Sequence, residues 1–375
     1  MSLSKGERER YQRHLSLSEI GAAGQEKLKA ARVLVVGAGG LGSPAALYLA
    51  AAGCGTLGLL DCDRVDLSNL QRQVLFDTAA VARPKAEAAR ERLMGLNPEI
   101  RIVAHALELK AANVREVFAQ YDLVVDGTDR LSTRYLINDA CVILRLPLVS
   151  AAIHRFEGQL MTYVPQQGPC YRCVFPQAAD GMVANCAEAG VLGVLPGVLG
   201  TLQATEVIKL ITGVGQPLTG RLLTYDALDM RFSEFRIQRR PDCAVCGDAP
   251  TISEPRDPPA QRPAATAGVR HLSASELHQL LSAAPGDAPL LIDVREVREF
   301  SFGHLEGAIN IPLGQLPQRL AEIPPDAPAV FMCRSGGRSL RACQLALEAH
   351  LPAPANLEGG LLAWATEVDP ALRVL

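Results

Sequence analysis

Apolar residues along this chain gather in short unbroken runs more often than they alternate with polar ones. Residues 33–36 (VLVV, entered from Arg32), 57–60 (LGLL), 121–126 (YDLVVD) and 148–151 (LVSA) are four such runs, and 100–104 (IRIVA) is a looser fifth. Runs of this length predict strands buried on both faces, as in parallel sheets. Stretches of helical composition lie between them: 43–52, 84–93 with Pro84 at the helix start, 112–119 and 133–144. Residues 4–30 predict a helical lead-in. The strand–helix rhythm predicts an α/β fold with a mostly parallel sheet and helices on both faces. Residues 158–164 (GQLMTYV) alternate instead, which predicts an antiparallel addition, and 221–225 and 232–237 look like further strands. The most apolar region, 191–211, is broken by Pro196 and carries Gln203, Glu206 and Lys209; it predicts a core helix and no membrane span.

The rhythm stops and restarts. Residues 251–268 hold Pro255, Pro258, Pro259 and Pro263 and no apolar pattern, which predicts a semi-extended linker. Beyond it, 269–272, 290–294 (LLIDV) and 329–332 read as strands, and 274–282 and 338–347 as helices. For 375 residues, two domains are the natural expectation: 1–250 and 269–375.

Composition narrows the partners. A net charge of −3 gives no electrostatic case for nucleic acid or an anionic membrane. The opening MSLSKGERERYQRH is charged and lacks an apolar core, so no signal peptide is expected. The expected compartment is the cytoplasm, with the ten cysteines serving as thiols or metal ligands and not as disulfides. Cys54, Cys62, Cys141 and Cys343 read as inert residues in apolar surroundings.

The chemistry starts after the first strand. Gly37, Gly39 and Gly42 give the G-x-G-x-x-G spacing ahead of a helix start, where backbone amides and the helix dipole suit phosphate oxygens. Asp61 closes the second strand about 20 residues on, where an acid can grip a ribose hydroxyl. That much also fits a dinucleotide-dependent oxidoreductase. The next residues favour a triphosphate: Ser68-Asn69-Leu70-Gln71-Arg72 and Lys85 supply amide donors and cations, and Asp129 offers a hard carboxylate oxygen for Mg²⁺. All of them fall just past predicted strand ends, where open α/β sheets collect ligands.

Four cysteines form two C-x₂-C pairs, Cys170/Cys173 and Cys243/Cys246. Two such pairs can close a tetrahedral Cys₄ zinc site with no open position, hence a structural one; a redox C-x-x-C is the competing reading. Between the pairs, 175–190 (FPQAADGMVANCAEAG) is small, polar and poorly periodic, and it carries Cys186, either an inert residue or a nucleophile. In the second domain, Cys333-Arg-Ser-Gly-Gly-Arg-Ser339 sits between a strand and a helix. Such a loop can aim backbone amides at one sulfur, and Arg334 and Arg338 would add positive charge.

GAGGLG, the D-x-D strand end, SNLQRQ, the PK pair, the TD pair and the doubled C-x-x-C occur in an order that resembles the ubiquitin-activating-enzyme-like adenylyltransferases of the MoeB/ThiF type, over roughly residues 1–250. Asp293-Val-Arg295, Glu299-Phe300, the segment 303–308 (GHLEGA) and the Cys333 loop resemble the rhodanese family over the whole second domain. The implied fold is a Rossmann-like ATP-binding domain with a structural zinc site, followed by a smaller α/β rhodanese domain. The implied activity is adenylation of the C-terminal Gly-Gly carboxylate of a small ubiquitin-fold sulfur carrier, with ATP held at Gly40, Asp61, Ser68, Asn69, Arg72 and Lys85 and Mg²⁺ at Asp129. A persulfide on Cys333, charged by a cysteine desulfurase or another donor, would then convert the adenylate into a thiocarboxylate, with Cys186 resolving the intermediate. Molybdenum cofactor and thiamine biosynthesis are among the pathways that use this chemistry. The resemblance also implies a homodimer, in which Arg13 reaches the neighbouring subunit's nucleotide. Arg130 stands where the family usually has Asn and is expected to add a phosphate cation. A non-catalytic carrier-binding scaffold is the remaining alternative.

Overall fold

The computed structural model describes residues 2–176, 190–257, 268–282, 289–324 and 327–374. The chain divides into two compact units, Met1–Ala260 and Gln261–Leu375.

In the first unit, helices α1 (Lys5–Arg10), α2 (Gln12–Leu15) and α3 (Gly21–Ala30) lead into β1 (Arg32–Val36), α4 (Gly42–Ala51), β2 (Thr56–Leu60), α5 (Lys85–Leu96), β3 (Arg101–His105), α6 (Ala111–Phe118), β4 (Leu123–Asp126), α7 (Leu131–Leu144) and β5 (Leu148–His154). Then come β6 (Glu157–Tyr163), α8 (Tyr171–Val174), α9 (Leu195–Thr212), β7 (Arg221–Asp226) and β8 (Arg231–Arg236). The eight strands lie in the order β3-β2-β1-β4-β5-β6-β7-β8, parallel through β5 and antiparallel beyond it.

Strand β1 shows why the apolar runs are unbroken. Val33 and Val35 pack into a core shared with Ala45 and Leu49 of α4 and Leu199 of α9. Leu34 and Val36 face a second core with Phe118 of α6 and Ile137 of α7. Both faces are covered from Val33 to Val36, so no position in that run is left for a polar residue. The 191–211 segment becomes α9, with Pro196 in its first turn. No helix among the described residues is long and apolar enough to cross a membrane.

The second unit is an all-parallel five-stranded sheet in the order β11-β10-β12-β13-β9, from β9 (Arg270–Leu272), β10 (Leu290–Asp293), β11 (Ile309–Asn310), β12 (Ala329–Met332) and β13 (Ala355–Leu357). Its helices are α10 (Ala274–Leu281), α11 (Val297–Phe302), α12 (Leu316–Arg319), α13 (Gly337–Glu348) and α14 (Gly360–Glu367). β11, β13, α11, α12 and α14 have no counterpart among the elements the sequence pattern predicts.

Candidate functional site

From β1 the chain winds outward through β2 to β3, then returns to place β4 on the other side of β1. That reversal opens a crevice at the carboxyl ends of β1 and β4, the position where such sheets bind ligands. The glycine-rich loop lies there. Gly37 has a positive φ of 88°, and a Cβ on Gly42 would stand 1.8 Å from the Gly37 carbonyl oxygen, so no other residue fits at Gly42 without moving the loop.

Three segments close on this loop. The first is the end of β2. One oxygen of Asp61 accepts the Ala38 amide at 2.8 Å and the other accepts the Asp63 amide at 2.9 Å. Burial pushes the Asp61 carboxyl above its ordinary value, although Lys85 and these two amides pull against that shift. A bridge between Arg64 and Pro84 brings Lys85 back to the strand end, where its Nζ lies 3.2 Å from Asp63.

The second segment is a short turn of 3₁₀ helix, Leu67–Asn69, capped by Asp66. Ser68 donates its amide and hydroxyl to Asp66, and the Asn69 side-chain oxygen accepts the Asp66 amide, so both serve the turn that presents them. Arg72 donates to the Ser68 carbonyl at 3.1 Å, and its Cγ would lie 3.6 Å from a Cβ on Gly40.

The third is the turn after β4. Asp126 is fully buried and accepts Thr128 N and Oγ1, Arg134 Nε and Ser150 Oγ, while Gln203 donates to its carbonyl at 2.8 Å. This hub, which sequence reading did not single out, rigidifies the turn that presents Asp129. Asp129 itself is exposed and has no hydrogen bond or ion pair among the described residues, so its carboxylate is available to a hard cation such as Mg²⁺. Arg130 is exposed, and its charge acts on Cys62 and Glu108. Arg13 is exposed on α2.

Cys62 departs from expectation. It is exposed beside Asp61 and Asp63, not set in apolar surroundings. Cys54, Cys141 and Cys343 are buried as expected, and burial pushes the Cys54 and Cys343 thiols up to about 12.

The two C-x₂-C pairs converge. Cys170, Cys173, Cys243 and Cys246 hold their sulfurs within 4.8 Å of one another, three of the pairs at 4.0, 3.7 and 3.3 Å. Tetrahedral zinc with sulfur bonds of about 2.3 Å spaces its ligands about 3.8 Å apart, so this donor set fits that ion. The Arg240 amide adds a donor to Cys173 Sγ at 3.4 Å, the kind of outer contact that orients a thiolate ligand. Cys186 lies outside the described residues.

In the second unit Cys333 directly follows β12 and has 1% of its surface exposed. Its sulfur accepts the Gly336 amide at 3.1 Å and faces the Ser339 hydroxyl at 3.4 Å. Gly336 has a φ of 94°, which lets the loop curl beneath the sulfur. Arg338 pairs with Glu299 through two contacts of 2.7 Å. Burial opposes the Glu299 charge, but Arg338, the Glu296 amide and Arg295 together outweigh it and hold that carboxyl below its usual range. The Asp293–Arg295 pair is completely buried, and Arg295 also donates to the Gly303 carbonyl at 2.7 Å. His304 stacks on Phe300 and bonds its carbonyl.

Comparison with known proteins is consistent with both units. Residues 11–245 match the model of the ThiF family, and residues 273–367 match that of the rhodanese-like domain. The chain is 42% identical to "Adenylyltransferase and sulfurtransferase MOCS3" of Aedes aegypti, over 99% of this chain and 90% of that protein. It is 42% identical to "Probable adenylyltransferase/sulfurtransferase MoeZ" of Mycobacterium tuberculosis, over 98% of this chain and 95% of that one. "Sulfur carrier protein adenylyltransferase" of Thermus thermophilus is 50% identical over 68% of this chain and 96% of its own length. Among solved structures, Escherichia coli MccB with ATP superposes with a TM-score of 0.58 at 26% identity, covering 65% of this chain and 75% of that one.

Proposed function

We infer the function from one premise: the chain belongs to the ThiF family, carries a rhodanese-like domain behind it, and is an adenylyltransferase and sulfurtransferase. Its substrate is a ubiquitin-like sulfur carrier, whose C-terminal Gly-Gly carboxylate it activates with ATP. The product, a carrier thiocarboxylate, supplies sulfur to molybdenum cofactor, thiamine or related biosynthesis. The observation that carries this reading is the presence in one chain of two cradles: a glycine-rich loop flanked by Asp61, Lys85 and Asp129, and a thiol held by the Gly336 amide. A nicotinamide-dependent oxidoreductase would leave the second unemployed.

The first step is nucleophilic attack of the carrier carboxylate on the α-phosphate of ATP, which releases pyrophosphate. Gly40 and the loop amides face the phosphates, Asp61 holds the ribose, and Ser68, Asn69, Arg72 and Lys85 bind and neutralise the triphosphate. Arg130 adds charge at the rim. Mg²⁺, held by Asp129, would supply further neutralisation of the phosphate oxygens. No general base is needed, since the attacking carboxylate is already ionised and catalysis is positioning and charge stabilisation. In the second step a persulfide on Cys333 attacks the acyl-adenylate carbonyl, expelling AMP and forming an acyl persulfide. A second thiol, assigned to Cys186, then attacks the Cys333 sulfur. This leaves the thiocarboxylate and a Cys333–Cys186 disulfide, which a cellular dithiol reduces. The Cys333 persulfide is replenished by a cysteine desulfurase or an equivalent donor.

The domains are assigned to residues 1–250 and 269–375, joined by 251–268. Zinc is the ion assigned to the four cysteines, and the compartment is the cytoplasm. The working form is a homodimer in which exposed Arg13 serves the neighbouring subunit's triphosphate. ATP–pyrophosphate exchange with Gly-Gly-ended carriers tests the adenylation step. Exchange that requires a carrier and falls about a hundredfold or more in Lys85→Ala and Asp129→Ala is expected; exchange untouched by both variants would defeat the assignment.

A further inference from the structure

Helix α7 carries a face made of Arg134, Tyr135, Asn138 and Asp139, residues spaced to lie together on one side. Three of them fasten α8, the short helix bounded by Cys170 and containing Cys173. Asn138 accepts the Tyr171 amide at 2.8 Å, and Asp139 takes Arg172 in a two-point pair at 2.7 and 2.8 Å. Tyr135 lies under the Arg172 guanidinium, 4.5 Å from its ring centroid, and donates its hydroxyl to the Phe175 carbonyl at 3.0 Å.

Arg134 points the other way. Its Nε donates to Asp126 at 3.0 Å and its Nη2 to the Thr128 carbonyl at 2.7 Å. Its guanidinium carbon is 5.8 Å from the Tyr171 ring centroid, and the group engages the Tyr171 hydroxyl. Arg134 is 6% exposed and Asp126 not at all. A buried guanidinium with its planar fork fixed on three sides transmits a displacement of any one partner to the others.

We propose that Arg134 is a positioning residue that couples the four-cysteine centre to the nucleotide site. Tyr171, next to Cys170, holds the guanidinium; the guanidinium fixes Asp126 and Thr128; and these set the orientation of Asp129. An ion that closes the cysteine cluster therefore orders the magnesium-binding turn as well as the end of the domain. This rests on the reading of Asp129 as the Mg²⁺ ligand and of the cluster as a zinc centre.

The test uses the full chain with Tyr171→Phe, which keeps the ring that packs 5.3 Å from Tyr135 and 4.8 Å from Phe175, and keeps all four cysteines. Metal content, thermal midpoint and calorimetric ATP affinity with and without added magnesium are compared with the parent. The expected result is unchanged zinc content, a loss of about fivefold in affinity for ATP with magnesium, and no change without it. Arg134→Lys, which keeps the charge opposite Asp126 but not the fork, should show the same selective loss. Equal affinity in parent and both variants, or a loss that is the same with and without magnesium, overturns the coupling. A parent whose ATP binding ignores both magnesium and Asp129→Ala would sink the underlying reading, and the coupling with it.

Discussion

One oxygen of Asp61 accepts the amide of Ala38 at 2.8 Å, tying the acid at the end of β2 to the glycine-rich loop at the end of β1. The other oxygen accepts the Asp63 amide, so the same carboxylate also shapes the turn that meets Lys85. The acid is thus a part of the loop's architecture, in addition to the ribose contact proposed for it. Asp61→Asn can accept only one of the two amides and leaves the other facing an NH₂ group. A loss of about 1–3 kcal/mol in stability is expected from that unsatisfied donor, together with an ATP KM raised about tenfold. Denaturant unfolding and exchange kinetics check the two effects separately.

The cysteine cluster predicts one zinc ion per chain. Cys243→Ser should lower the metal content to near zero and the thermal midpoint of the first unit with it, because binding of such ions is worth on the order of 10 kcal/mol in small zinc domains. Elemental analysis of the purified chain alongside calorimetry provides the check. A variant that lost the metal and kept its midpoint would show that the ion does not hold the domain end.

Cys62 predicts a labelling pattern. At pH 8, a small alkylating reagent should modify Cys62 well before Cys54 or Cys343, whose burial holds their thiols at about 12. Burial and the flanking carboxylates also raise the Cys62 thiol, so its labelling should quicken as pH climbs past the ordinary thiol range. Peptide mapping reads the order of modification.

Glu299 predicts an acid limit for the second unit. Its folded pKa lies below the ordinary glutamate value, so the stability it contributes through Arg338 is present above about 4.5 and is lost as pH falls through the folded value. In the parent, the second unit should weaken steeply across that window, and in Glu299→Gln much less so. Thermal midpoints between pH 6 and 3 give the comparison, and sulfur transfer from thiosulfate should fall in the variant at neutral pH because α13 loses its tether to α11.

The parts that were legible in the sequence are those written locally. The run at 33–36 is buried on both faces and reads as such; Gly37 and Gly42 are forced by a loop closed within a few residues; each C-x₂-C pair is a local ligand unit. What escaped depends on distant contacts. The Arg338–Glu299 pair joins residues 39 apart, on two helices that only the fold brings together. Asp126 reads in the sequence only as the end of the 121–126 run, and its role as a hub needs Ser150 and Gln203 from other elements. Cys62 took its apolar context from the strand before it, whereas the chain has already left the sheet at that point.

The measurement that bears most directly on the central claim is the mass of a Gly-Gly-ended carrier after incubation with the chain, ATP, Mg²⁺ and a persulfide donor. The account predicts that its C-terminal oxygen is exchanged for sulfur. It further predicts that Cys333→Ser abolishes the mass change while ATP–pyrophosphate exchange continues, and that Lys85→Ala abolishes both. A thiocarboxylate formed at the normal rate by Cys333→Ser would contradict it.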